Sequence, residues 1–173
     1  PNTPRQIQIL DALGVTPPYY AHVPMILGDD KKRLSKRHGA VSVLQFREEG
    51  FLPEALINGL ARLGWSHGDD ELFTRDDLLR LFAVDDVGKT ASVLSREKLL
   101  WLNGHYIRQR SPGELEGPFR EQLEGRGVDP DVVADLTPII ESLQERSKTV
   151  AEMADMGLFF FRDFESFDEK AAK

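Results

Sequence analysis

Only one stretch of this chain, Tyr19 to Leu27, reads as a β-strand, and from Ser42 onward every start and stop signal is helical. A single strand has no partner for its backbone groups, so the chain cannot build a sheet-based domain from its own strands. The expected class is mainly α (α+β): a helix-strand unit, a helical middle and a small helical bundle. Thr3 and Pro4 open a helix over 3–13 with an apolar stripe of Ile7, Leu10 and Leu13, and Gly14 closes it. Pro17-Pro18 precede the strand, which is expected to be short and buried, and Gly28-Asp29-Asp30 break it. Ser42 caps a short helix closed by Gly50. Pro53 starts another that runs through Leu56, Leu60 and Leu63 to Gly64, both glycines serving as stop signals. After an irregular linker from Trp65 to Phe73, Thr74 and Asp77 form a capping box for a helix ending near Phe82. Ser95 caps a helix whose apolar face is Leu99, Leu102 and Tyr106, widened by Leu100 and Trp101. Ser111-Pro112, Asp129-Pro130 and Thr137-Pro138 then mark three helices by one device, and a last helix runs from Thr149 into Leu158-Phe159-Phe160-Phe161 as bundle core.

The chain has 173 residues, with 22 Lys and Arg against 29 Asp and Glu, a formal net charge of −7. That balance excludes a generally basic nucleic-acid binder and leaves a local basic patch possible. With no cysteine there is no disulfide framework, thiolate metal site or cysteine nucleophile, which fits a reducing, cytoplasmic setting. No apolar run is long enough for a transmembrane helix or signal-peptide core, so no membrane association is expected. His22, His38, His67 and His105 are too far apart for a helical metal pair, and no zinc is expected.

One segment reverses the local sign of charge. Gly28-Asp29-Asp30-Lys31-Lys32-Arg33-Leu34-Ser35-Lys36-Arg37-His38-Gly39 carries five cations within seven residues, directly after the strand. Clustered lysines with flanking Gly and Ser suit a phosphate-rich ligand, because backbone N–H groups can approach phosphate oxygens there. A solvated basic loop is the alternative for an anonymous charge run. The residue order distinguishes the two. Arg33-Leu34-Ser35-Lys36-Arg37 resembles the K-M-S-K-S signature of class I aminoacyl-tRNA synthetases, and its continuation through His38-Gly39-Ala40 resembles the form in bacterial glutamyl-tRNA synthetases. Asn2-Thr3-Pro4-Arg5-Gln6, Tyr20-Ala21-His22-Val23, Leu52-Pro53-Glu54-Ala55-Leu56, Leu63-Gly64-Trp65-Ser66-His67-Gly68 and Lys98-Leu99-Leu100-Trp101-Leu102-Asn103 resemble that family in its own order and spacing. Arg33 departs from the pattern, where the family more often has Lys, and so does Lys31, often Gly; Arg33 keeps the charge but alters donor geometry.

The resemblance implies the tail end of a class I Rossmann-type catalytic domain over 1–42 with the signature loop, a stem-contact domain over 43–109, and the first helical part of the anticodon-binding region over 110–173. It implies ATP with Mg2+, L-glutamate and tRNA(Glu) as ligands of a monomeric ligase that makes glutamyl-adenylate and passes the glutamyl group to the tRNA 3' end. Lys36, Ser35 and Arg33 match the catalytic positions, and Arg33, Leu34, Ser35, Lys36 and Arg37 the ATP-binding loop. Gly28 and Gly39 are placed to let that loop open and close. An H-I-G-H type element is absent, as no H-x-x-H or H-x-G-H spacing occurs. The chain is therefore expected to be a fragment, with Pro1 a cut end, and inactive alone. A free-standing tRNA-binding module is the alternative. A glutaminyl enzyme is disfavoured by His38-Gly39-Ala40 and by the helical C-terminal region. Arg108, Arg110, Arg120, Arg126, Arg146 and Lys148 are scattered cations available to a tRNA backbone.

Overall fold

Helix starts are where local chemistry and structure agree best. The computed structural model describes residues 2–34 and 42–162. Its elements in order are α1 (Asn2–Ala12), β1 (Ile26–Leu27), α2 (Val43–Glu48), α3 (Pro53–Ala61), α4 (Arg75–Leu81), β2 (Ser92–Val93), α5 (Arg96–Gln109), α6 (Pro112–Glu124), α7 (Thr137–Gln144) and α8 (Val150–Gly157). Ser42 accepts a hydrogen bond from the Leu44 N–H at 3.3 Å and Ser95 one from Lys98 N–H at 3.3 Å. Thr74 and Asp77 close a reciprocal capping box, as do Ser111 and Glu114. Each cap satisfies N–H groups that the first helical turn leaves without partners.

Several expectations are corrected. Thr3 lies inside α1, not at its cap, and its hydroxyl sits 3.1 Å from His22 Nε2; helix ends of this kind commonly shift by a residue. The strand is confined to Ile26–Leu27 and is half-buried, while Tyr19 is fully exposed. The reason is its partner: β1 pairs in parallel with the two-residue β2, Ile26 opposite Ser92 and Leu27 opposite Val93, and the pairing ends at the Met25 carbonyl, which accepts the Ser92 N–H at 3.1 Å. β2 itself is too short and polar to read as a strand. Gly64 does not end α3 through a left-handed turn. A Cβ there would lie 2.9 Å from Pro24 Cγ and 3.1 Å from Val87 Cγ1, and its carbonyl accepts the Gly88 N–H at 2.6 Å, so close approach is what requires glycine.

The Asp129-Pro130 device starts a single 3₁₀ turn, Pro130–Val132, rather than a helix. Pro130 and Pro138 leave about two turns between them, less than an independent helix needs. Thr137 is the first residue of α7, and Asp135 caps it by accepting its N–H at 2.9 Å. After α8 a 3₁₀ turn, Leu158–Phe160, carries Phe159 and Phe160 outward, while Leu158 and Phe161 pack on the core, Phe161 6.4 Å from Phe119. The acidic tail after Arg162 lies outside the described residues.

Packing follows the apolar stripes. α3 lies on α5, and α6 packs on α7 and α8. Phe46, Leu99, Leu102, Ile107, Leu115, Phe119, Leu123, Ile140 and Met153 belong to one core that runs from α2 to α8. Trp65 is buried with Phe73 and Phe82 around it at 5.0 and 5.6 Å. Trp101, expected to widen the buried face of α5, is instead 48% exposed, because Leu99, Leu102 and Tyr106 already fill the stripe that meets α3.

Candidate functional site

The chain enters the signature segment through a tight turn built on β1. The Gly28 N–H donates to Lys32 O at 2.9 Å, Lys31 N–H to Gly28 O at 2.9 Å, and Leu34 N–H to Ile26 O at 3.0 Å. Asp30 Oδ1 accepts the Lys32 N–H at 3.0 Å, the side-chain turn Asp favours. Lys31 sits at φ +58, a left-handed conformation that glycine adopts without strain and a lysine does not. Gly28 is buried while Asp29, Asp30, Lys31, Lys32 and Arg33 are exposed. Arg33 thus returns antiparallel beside Leu27, with its charge in solvent at the strand end.

Of the sequence-derived loop residues, Arg33 and Leu34 are placed by this turn. Ser35, Lys36 and Arg37, with His38 and Gly39, lie outside the described residues. Leu34 half-closes a cleft of about 280 Å³ whose other walls include Gly28, Asp30, Phe46, Leu94 and Arg96. Arg96 is already engaged, 2.7 Å from Glu49 and over the Phe51 ring at 5.7 Å. Among the described residues no group of three or more His, Asp or Glu side chains could hold a metal ion.

The scattered cations separate into two sets. Arg110 is held by Glu54 and by Glu114 at 2.5 Å, Arg120 by Glu116 at 2.9 Å and Asp131 at 2.7 Å, and Arg126 by Asp155 at 2.6 Å. Hydrogen bonds from the Ser111 N–H, from Arg110 and from the Ser111 hydroxyl lower the Glu114 carboxyl to about 2. Arg108, Arg146 and Lys148 make no ion pair among the described residues. Arg108 Nη1 and Lys148 Cα lie 3.3 and 3.6 Å from where a Gly104 Cβ would stand, so the missing side chain leaves room for the Arg108 guanidinium beside the Lys148 backbone. On the same outer face of α5, Trp101 stacks with His105 at 6.4 Å.

Sequence reasoning missed a set of buried amides. Asn103, fully buried, accepts the Leu52 N–H at 2.7 Å and donates to Lys148 O at 2.7 Å and Gly50 O at 3.3 Å. Asn58 accepts the Phe73 N–H at 2.8 Å and donates to Glu71 O at 3.0 Å, and the Tyr106 hydroxyl donates between Asn58 Oδ1 and Phe73 O at 2.7 and 2.8 Å. Burial, first of its causes, raises the Tyr106 phenol above its ordinary range. Gln144 donates to Ile107 O and Arg110 O, both at 2.7 Å. The available signal was an amide placed within an apolar helical face, as Asn103 is beside Leu99, Leu102 and Tyr106.

Comparison with known proteins agrees with the family resemblance of the sequence. A family model described as tRNA synthetases class I (E and Q), catalytic domain, matches residues 1–101. The chain belongs to the class I tRNA synthetases of the E and Q group. Among curated class I relatives, the glutamate–tRNA ligase of Syntrophotalea carbinolica is 57% identical over 171 residues, covering 99% of this chain and 37% of that protein. That of Geobacter sulfurreducens is 56% identical with the same coverage. A crystal structure of a glutamate tRNA ligase from Elizabethkingia meningosepticum, in complex with its amino acid, superposes with a TM-score of 0.73 at 33% identity, over 99% of this chain and 38% of that one. The chain therefore spans a little over a third of the synthetases it resembles. Within this synthetase segment no helix among the described residues is long and apolar enough to cross a membrane.

Proposed function

We propose that this chain supplies the ATP-phosphate loop and part of the tRNA-contact surface of a glutamate–tRNA ligase. The observation that carries the reading is the Gly28–Lys32 turn, which starts a K-M-S-K-S-like run at the end of a strand with Lys31, Lys32 and Arg33 in solvent. In this reading Lys36 sets its ammonium against charge developing on the ATP phosphates as glutamate attacks the α-phosphate, and Ser35 and Arg33 fix or extend that contact. A preorganised cation at such a point favours the transition state over the ground state. Leu34 and Arg37 complete the ATP-binding loop, and Mg2+ arrives on the nucleotide. The products are glutamyl-adenylate and pyrophosphate, and the glutamyl group then passes to tRNA(Glu). Trp101, His105, Arg108 and Lys148 offer a stacking surface and two cations to the tRNA, positioning it without reading sequence. The layout is catalytic remnant over 1–42, stem-contact domain over 43–109 and helical anticodon-region part over 110–173, in a monomeric cytoplasmic enzyme.

The test is a chimera in which this chain replaces the stretch it matches in the Syntrophotalea carbinolica ligase. The chimera is expected to catalyse glutamate-dependent ATP–pyrophosphate exchange, and Lys36→Ala in it to lose about 10²- to 10⁴-fold, the range for removing one transition-state charge contact. Exchange unchanged by Lys36→Ala refutes the loop assignment. The 173-residue chain alone, with no H-x-G-H element, is expected to show none.

A further inference from the structure

Cations along the helical part divide into those that carboxylates hold and those left to solvent. Arg47, Arg96, Lys98, Arg110, Arg120 and Arg126 each sit on an Asp or Glu side chain. Arg108 and Lys148, both exposed, sit on none among the described residues. Trp101, His105 and Arg108 recur at helical spacing and share one stripe of α5. Gly104 lies beside that stripe. Its missing side chain leaves Arg108 Nη1 3.3 Å from the Cβ position and lets Lys148 Cα and Ser147 O come within 3.6 Å of the same point. Asn103 fixes the Lys148 backbone by donating to its carbonyl at 2.7 Å, and the Lys148 N–H donates to Glu152 at 2.7 Å.

The aromatic part of the stripe is held from behind. Trp101 is 48% exposed and stacks with His105, ring centroids 6.4 Å apart and 28° between planes. His105 meets the Tyr106 ring edge-on at 5.7 Å, and the buried Tyr106 hydroxyl is pinned between Asn58 and Phe73. An open indole is thus backed by a ring that a buried hydrogen-bond network holds in place, so little rotamer freedom remains to be lost on binding.

We propose that Trp101 receives a base of tRNA(Glu) that stands out of its stack, with Arg108 and Lys148 holding phosphates beside it. The inference rests on the functional reading above and narrows it from a tRNA backbone to one kind of nucleotide. A base within a duplex has its faces covered by its neighbours, and the deep major groove of A-form RNA keeps side chains from its edges. A base at a loop, bulge or bend offers a free face. Every base has such a face, so stacking on Trp101 selects conformation rather than sequence. The cations fit the same arrangement: Trp101 and Arg108 are roughly 10 Å apart along the α5 axis, so a base on the indole and a phosphate at the guanidinium belong to one short stretch of strand.

In the chimera, Trp101→Leu is expected to raise KM for tRNA(Glu) about tenfold against less than about twofold for ATP, and Trp101→Phe, which keeps a ring, to recover most of that loss. With the 173-residue chain at low salt, a labelled single-stranded RNA of about ten nucleotides is expected to bind at least about tenfold tighter than the same strand annealed to its complement, and Trp101→Leu to abolish the preference. Arg108→Gln and Lys148→Gln are each expected to lessen the slope of log affinity against log salt by about 0.7, a slope that Trp101→Leu leaves as it was. Duplex bound as tightly as single strand, neither RNA bound, or Trp101→Phe as weak as Trp101→Leu overturns the proposal. So does a Trp101→Leu that lowers the melting temperature of the chimera while KM for tRNA(Glu) holds, since Trp101 then lies under another part of the synthetase. If Arg108→Gln and Lys148→Gln raise KM for tRNA(Glu) and Trp101→Leu does not, the proposal falls and the tRNA-contact reading stands. If none of these variants raises it, that reading falls as well.

Discussion

Replacing Asn103 is the sharpest probe of how this chain holds itself together. In Asn103→Ala the Leu52 N–H loses its acceptor at the first turn of α3, and Lys148 O loses its donor, while Gly50 O keeps the Val150 N–H. One orphaned buried donor costs about 1–3 kcal/mol and the deserted carbonyl and small void add to it, so the expected loss is about 3 kcal/mol. For a domain of this size that corresponds to a fall in Tm of about 6–12 °C. Asn103→Asp separates hydrogen bonding from shape. It preserves the acceptor for Leu52 but turns a second oxygen toward Lys148 O and Gly50 O, so a buried carboxylate faces two carbonyls and its pKa rises above the ordinary value of about 3.9. A group whose folded pKa is raised gains native stability relative to the charged form as pH falls through that pKa, because the protonated acid donates to Lys148 O. Urea unfolding followed by circular dichroism, from pH 7 to pH 5, is the assay. Asn103→Asp is expected to be worse than Asn103→Ala at pH 7 and to recover toward it at pH 5. An alanine variant losing less than about 1 kcal/mol, or an aspartate variant with no pH dependence, refutes the account.

Glycine substitutions should divide by surroundings. Gly50→Ala combines φ +79 with a Cβ 2.3 Å from Ala151 N, so both strain and backbone overlap apply, and thermal melts should show a loss of well over 2 kcal/mol. Gly14→Ala, at φ +68 with open space, should cost only about 1 kcal/mol. The low Glu114 carboxyl, at about 2 against an ordinary 4.5, adds stability that is complete above the unfolded value and lost as pH falls from 4.5 toward 2. Glu114→Gln should flatten that part of an acid titration of Tm, and an unchanged acid limb would show that the capping box contributes nothing.

Much of the helical architecture was legible because it is local. Ser42, Thr74, Ser95, Ser111 and Thr149 start helices by hydrogen bonds within three residues, and the spacing of Leu99, Leu102 and Tyr106 in α5 anticipates the face that is buried. The family signature was equally legible, since an ordered set of motifs needs no geometry. Long-range features were not. The strand at Ile26–Leu27 depends on a partner 66 positions away, and the exposure of Trp101, Phe159 and Phe160 depends on which stripe meets α3 or α6.

The sequence by itself therefore determined the helical class, the helix starts at Ser42, Thr74, Ser95, Ser111 and Thr149, and the family, because capping chemistry, apolar periodicity and motif order are properties of neighbouring residues. Only the tertiary structure decided that Arg110, Arg120 and Arg126 are consumed by carboxylates while the Arg108 guanidinium lies beside the Lys148 backbone at Gly104. It also decided that Asn58, Asn103, Gln122 and Gln144 tie helix ends and loops across the core. Those outcomes depend on which backbone carbonyls and N–H groups are left buried without partners once the helices pack, and that inventory does not exist until the chain has folded.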